Sequence, residues 1–204
     1  MRIFDRRLFF RLMIAFIIVV IVGTLTHELG HYLLAKHFGY NAKLSYASVH
    51  YNSTLRIPFK HRFYVTIGGP MQTIVTGMIG LLLLFIYRRS FISTNKLSTG
   101  QWGMIFLSLF WLRQTVNLIM WLGIYFITGK FALRGDEIRI ARYLQLPFWS
   151  IAAITGILGV MVLALVVFKF IPPKQRFTFL VSGLVGGVAG YILWIELLGK
   201  YIMP

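Results

Sequence analysis

Residues 27–31 read His-Glu-Leu-Gly-His, a spacing that can do chemistry on a helix. Positions four apart lie nearly above one another, so His27 and His31 can offer their imidazoles to one metal ion while Glu28 sits beside them. Two neutral imidazoles and a carboxylate suit zinc, and the remaining position falls to a water whose pKa drops towards neutrality. Glu28 is then placed to take that water's proton and hand it to a leaving amine. Given five His and three Glu in 204 residues, about one or two chains in a thousand would contain the pattern by chance. Polar packing explains it poorly as well, because two His and a Glu are costly inside an apolar span. The chain has no cysteine, so nitrogen and oxygen must hold any metal.

A third ligand has few sources. His37 falls at the spacing of the longer HExxHxxGxxH motif, but Leu34 stands where the turn glycine is required. A continuing helix carries His37 about 9 Å along the axis from His31 and rotates it by roughly 120°, which makes it an interfacial residue. Soluble enzymes of the other main type draw a Glu from a nearby helix, yet no acid occurs between Glu28 and Asp136. The five acids are Asp5, Glu28, Asp136, Glu137 and Glu196. Asp5 lies about 33 Å from His27 on a continuous helix. Asp136 is preferred, because it follows Gly135 and precedes Arg139 at a turn into an amphipathic helix that can return to the site. Glu137 reads as a solvent-facing partner of nearby arginines. Glu196, in the last apolar run, stays open as an alternative, with Arg113 in the third run as its natural ion-pair partner.

These residues need elements to position them. Hydrophobic residues make up 58% of the chain against 13% charged, too little polar surface to cover a water-soluble core. Apolar runs at about 9–35, 65–87, 102–127, 148–171 and 177–199 are each near or above the roughly 20 residues a spanning helix needs. The expected fold is an all-α integral membrane protein of about five transmembrane helices, with the first helix uncleaved. Residues 43–64, rich in aromatic and β-branched types and broken at Asn52-Ser53, predict a membrane-associated β-hairpin between the first two spans. Pro70 suits the first turn of the second span. Gly183, Gly186, Gly187 and Gly190 form a small-residue face for close helix packing. The chain reads as one membrane domain over 1–204, with a catalytic core at about 9–145 and two C-terminal helices at about 148–199. The net charge of +16 resides mostly at the ends of apolar runs, where bases meet lipid headgroups. That argues for a bilayer partner and against nucleic acid.

Taken together, the residues resemble the site-2 protease family of intramembrane zinc metalloproteases. The resemblance covers roughly residues 20–145. It rests on HELGH inside a first hydrophobic helix followed by Ala35 and Gly39, a strand-forming hairpin, Gly69-Pro70, and an Asp-x-x-Arg element after the third span. It implies a three-helix core that cleaves membrane-anchored protein substrates in or near the bilayer, with one zinc per chain and Asp136 as third ligand. It also implies contacts to substrate or transition state from Asn117, Gly69 and Pro70. Three departures stand out: Gln72 and Thr73 replace the family's Asn near Gly-Pro, no Pro precedes Asp136 at the family's spacing, and Glu137 replaces the Gly after its Asp ligand. The expected place is the plasma membrane. An inactive pseudoprotease or chaperone, or a small metal-ion transporter using His27, His31, Asp136 and Arg113, are the alternatives. The transporter lacks a visible inverted repeat.

Overall fold

The computed structural model describes residues 4–52, 57–92 and 94–204, with Asn52 described by its backbone alone. The chain begins with α1 (Arg6–His37), a hairpin of β1 (Asn41–Leu44) and β2 (Val49–Asn52), and α2 (Phe59–Ile86). A short α3 (Arg88–Ile92) leads to α4 (Thr99–Ser108), which continues through a 3-10 turn into α5 (Leu112–Thr128). Then follow α6 (Asp136–Tyr143), α7 (Ser150–Leu165) with a π-helical end, α8 (Pro173–Tyr191), a second π-helical stretch, and α9 (Gly199–Ile202). Among the described residues, five helical segments are long and apolar enough to cross a membrane: Arg6–His37, Phe59–Ile86, Thr99–Thr128, Ser150–Phe170 and Pro173–Ile202. They suit a multi-pass membrane protein, and the small antiparallel sheet lies between the first two, as expected.

The ends of these helices follow from local chemistry. Asp5 caps α1 by accepting from the backbone N–H groups of Arg7 and Leu8. Ser98 and Gln101 form a capping box at α4. Gly129 ends α5 in the left-handed conformation, with φ 67°.

Two expectations need correction. The second span begins at Phe59 rather than near residue 65, and Pro70 lies inside α2 rather than in its first turn. Pro58, with φ −55° and ψ 144°, marks the true start. The aromatic stretch 59–64 is therefore helical, because a helix satisfies its own backbone hydrogen bonds whereas a lone strand does not. The hairpin pairs Asn41 with Asn52 through to Leu44 with Val49. Its turn is thus at 45–48, closed by Ser45 N–H on the Ser48 carbonyl at 2.9 Å, and not at Asn52-Ser53. Ser53 lies outside the described residues.

Close approach of small residues holds the bundle together. The helix α8 runs parallel to α1 at a constant offset, with Asp5 N–H on Thr178 Oγ1 and Ser182 Oγ–H on the Phe9 carbonyl. Of the four glycines expected to form a packing face, Gly183, Gly186 and Gly190 meet α1, while Gly187 faces open space. An apolar core that includes Leu12, Phe16, Ile105, Phe170 and Phe179 fills this end of the bundle. At the other end the C-terminus clasps the hairpin turn. Tyr46 N–H and Ser45 Oγ–H both donate to the Met203 carbonyl, and Trp194 Nε1–H donates to that of Tyr46.

Candidate metal centre

The C-terminal half of α1 buries a polar face that includes Thr24, His27, Glu28 and His31. It can do so because α1 and α2 approach with almost nothing between them. A side chain on Gly30 or Gly68 would collide with the backbone of the other. That approach brings α2 groups to the outer nitrogens of both imidazoles. His31 Nδ1–H donates to the Val65 carbonyl at 2.7 Å. His27 Nδ1–H donates to Thr73 Oγ1 at 2.9 Å, and Thr73 sends its own proton to the Gly69 carbonyl at 3.0 Å. Both neutral rings then carry their lone pair on Nε2.

The two Nε2 atoms are 3.3 Å apart, and each is 3.1 Å from Asp136 Oδ2. His27, His31 and Asp136 form a buried group that could hold a metal ion. Three lone pairs at such separations repel unless a cation or proton joins them. A tetrahedral ion with bonds of about 2.0–2.1 Å places its ligand atoms about 3.3 Å apart, so the triangle fits. Gly69 is the cradle, since a Cβ there would collide with Nε2 of both histidines.

Asp136 reaches this point as the first residue of α6, after Gly135 at φ 112°, a backbone conformation that favours glycine. The connection from α5 is pinned by Trp121 Nε1–H on the Ala132 carbonyl at 3.0 Å. Burial works against the Asp136 carboxylate, but a proton on either Nε2, hydrogen-bonded to Oδ2, outweighs it and holds the carboxyl below its usual range.

The remaining candidates are placed as follows. Glu137 is buried rather than solvent-facing, 5% exposed, and accepts from Asn117 Nδ2 at 3.2 Å. Burial pushes its carboxyl up. Asn117 thus supports the residue beside Asp136. Pro70 lies in α2 one turn from Thr66, whose carbonyl it leaves without the usual helical donor. Glu196 is exposed and His37 is exposed at the end of α1, and neither joins the group. Arg113 pairs with Glu28, its Nη2 3.8 Å from Oε1, rather than with Glu196.

Glu28, His31 and Asp136 line a cavity of about 350 Å³ whose far wall is the hairpin, through Ser48, Val49 and Tyr51. Sequence reasoning missed Thr73, the Val65 carbonyl and these hairpin residues as parts of the site. Thr73 lies four residues after Gly69, so it shares that glycine's face, but the relation is visible only once α2 is known to run unbroken through Pro70. Comparison of the chain with models of protein families, with curated proteins and with solved structures finds no significant match.

Proposed function

We propose that this chain is an intramembrane zinc metalloprotease of the site-2 protease type, a multi-pass protein of the cell membrane that hydrolyses peptide bonds of membrane-anchored proteins. The observation that carries the reading is the His27–His31–Asp136 triangle, with ligand atoms 3.1 to 3.3 Å apart, beside a cavity that also holds Glu28. Zinc bound there supplies a Lewis acid for a peptide carbonyl and lowers the pKa of a water. Glu28 takes the water's proton and delivers it to the departing nitrogen. Arg113, 3.8 Å away, offsets the charge of Glu28 in a setting where an isolated carboxylate is costly. Val65 and Thr73 fix the imidazole tautomers, and the polar wall of Ser48, Tyr51 and Thr66 offers hydrogen bonds to a locally unwound substrate.

Metal analysis of the purified full chain, paired with cleavage of a membrane-anchored reporter with and without chelator, tests the reading. About one zinc per chain is expected. Cleavage should stop with chelator, and Glu28→Gln should abolish it while zinc stays bound. Undiminished cleavage by E28Q, or iron in place of zinc, overturns the assignment.

A further inference from the structure

The chain holds only five acids, and most of them are committed. Asp5 caps α1, Glu28 pairs with Arg113, Asp136 meets the two histidines, and Glu137 accepts from Asn117. Glu196 is exposed in the fifth span and lines no part of the catalytic cavity. Arg139 is the one cation in the wall of that cavity, among the described residues. It is exposed, and among the described residues its side chain makes no hydrogen bond or ion pair. Arg113 already offsets Glu28, and a zinc ion would carry more charge than Asp136 offsets, so no acid in the cavity wall is left for Arg139.

Arg139 follows Asp136 by three residues on α6, which places both on one face, about 4.5 Å apart along the axis. An extended substrate advances about 3.3 Å per residue. A guanidinium so placed therefore meets substrate groups about one to three residues from the bond at the metal. Its planar fork of donors matches a carboxylate through two parallel hydrogen bonds.

We infer that Arg139 forms a carboxylate-binding subsite beside the metal, so that preferred substrates are membrane-anchored chains with a carboxylate near the scissile bond. This rests on the protease reading, and it fixes the substrate class. The carboxylate belongs either to an Asp or Glu side chain or to a free C-terminus.

Binding to zinc-loaded E28Q chain in detergent tests the inference without turnover. The probes are fluorescent single-span peptides. One carries Asp near the midpoint of the cleaved region and one carries Asn there, both C-terminally amidated, and a third carries Asn with a free C-terminus close to that region. The Asp peptide is expected to bind about tenfold tighter than the amidated Asn peptide. Tight binding of the third peptide in place of the first assigns the subsite to terminal carboxylates. Arg139→Glu, added to E28Q and checked for one zinc per chain, should reverse the preference towards a Lys peptide. Equal binding of all three peptides, or an acid preference that survives R139E, overturns the inference. Cleavage of the amidated Asn peptide by the wild-type chain tests proteolysis separately, because it does not depend on the subsite.

Discussion

The two halves of α1 use the same packing device for different ends. Near Leu12 and Phe16 the helix lies against α8, where Gly183 and Gly186 admit the Phe16 ring and the Met13 backbone. There Phe16 meets the rings of Phe179 and Phe106. In a bilayer, lipid tails would be as apolar as these side chains, so close approach itself would hold the helices together. One helical stretch further on, Gly30 and Gly68 bring α1 and α2 together just as closely. The groups that meet there are polar: His31 with the Val65 carbonyl, and His27 with Thr73. The small residues facing the first half set apolar packing, whereas those at the second set the positions of the two histidines.

The sharpest way to break that comparison is at the ligands. Asp136→Ala should lower zinc affinity by about 1000-fold or more, read as metal per chain after dialysis, and leave the helical bundle folded. Retained stoichiometric zinc would remove Asp136 from the centre. Next in size is a pair of glycine substitutions. Gly69→Ala puts a methyl group against both Nε2 atoms and should cost on the order of 100-fold in zinc affinity. Gly186→Ala puts one against Met13 and Phe16 and should lower the unfolding temperature, with zinc retained. If G186A lost zinc, or G69A kept it, the division between scaffold and site would fail. Phe16→Ala sharpens the scaffold side: it should lower the unfolding temperature by roughly 5–10 °C with unchanged zinc content.

The same division explains how much the sequence disclosed. The spans were legible because length and apolarity alone decide them, and the HELGH pair because four-residue spacing is a local helical relation. Asp136 is preferred among five acids with Glu196 left open, and only the bundle brings Asp136 and not Glu196 to the two histidines. What could not be read were relations carried by packing between distant segments. Glu137 looked like a surface acid until α6 was seen to turn it inward towards Asn117 on α5. Arg113 had two candidate acids, and only the bundle brings it to Glu28 rather than Glu196. Pro70 suited a helix start by its missing N–H, but Pro58 twelve residues earlier already served. A strand-like run of aromatics at 59–64 became helix because the α2 backbone must satisfy its own hydrogen bonds.

Thr73 gives the smallest and most discriminating test, because it stands outside the His27–His31–Asp136 triangle and reaches it only through His27. It is 1% exposed, so no water can replace its hydroxyl as acceptor for His27 Nδ1–H. Thr73→Val keeps the shape and removes that acceptor, leaving a buried donor unpaired and the ring free to take the other tautomer. Zinc affinity should fall about tenfold, measured by competition with a chelator, with little change in unfolding temperature for the metal-free chain. Thr73→Ser keeps an oxygen at the same place and should restore most of the loss. If valine and serine behaved alike, Thr73 would be a packing residue of the Phe16 kind, and the polar half of α1 would hold its histidines by sterics alone.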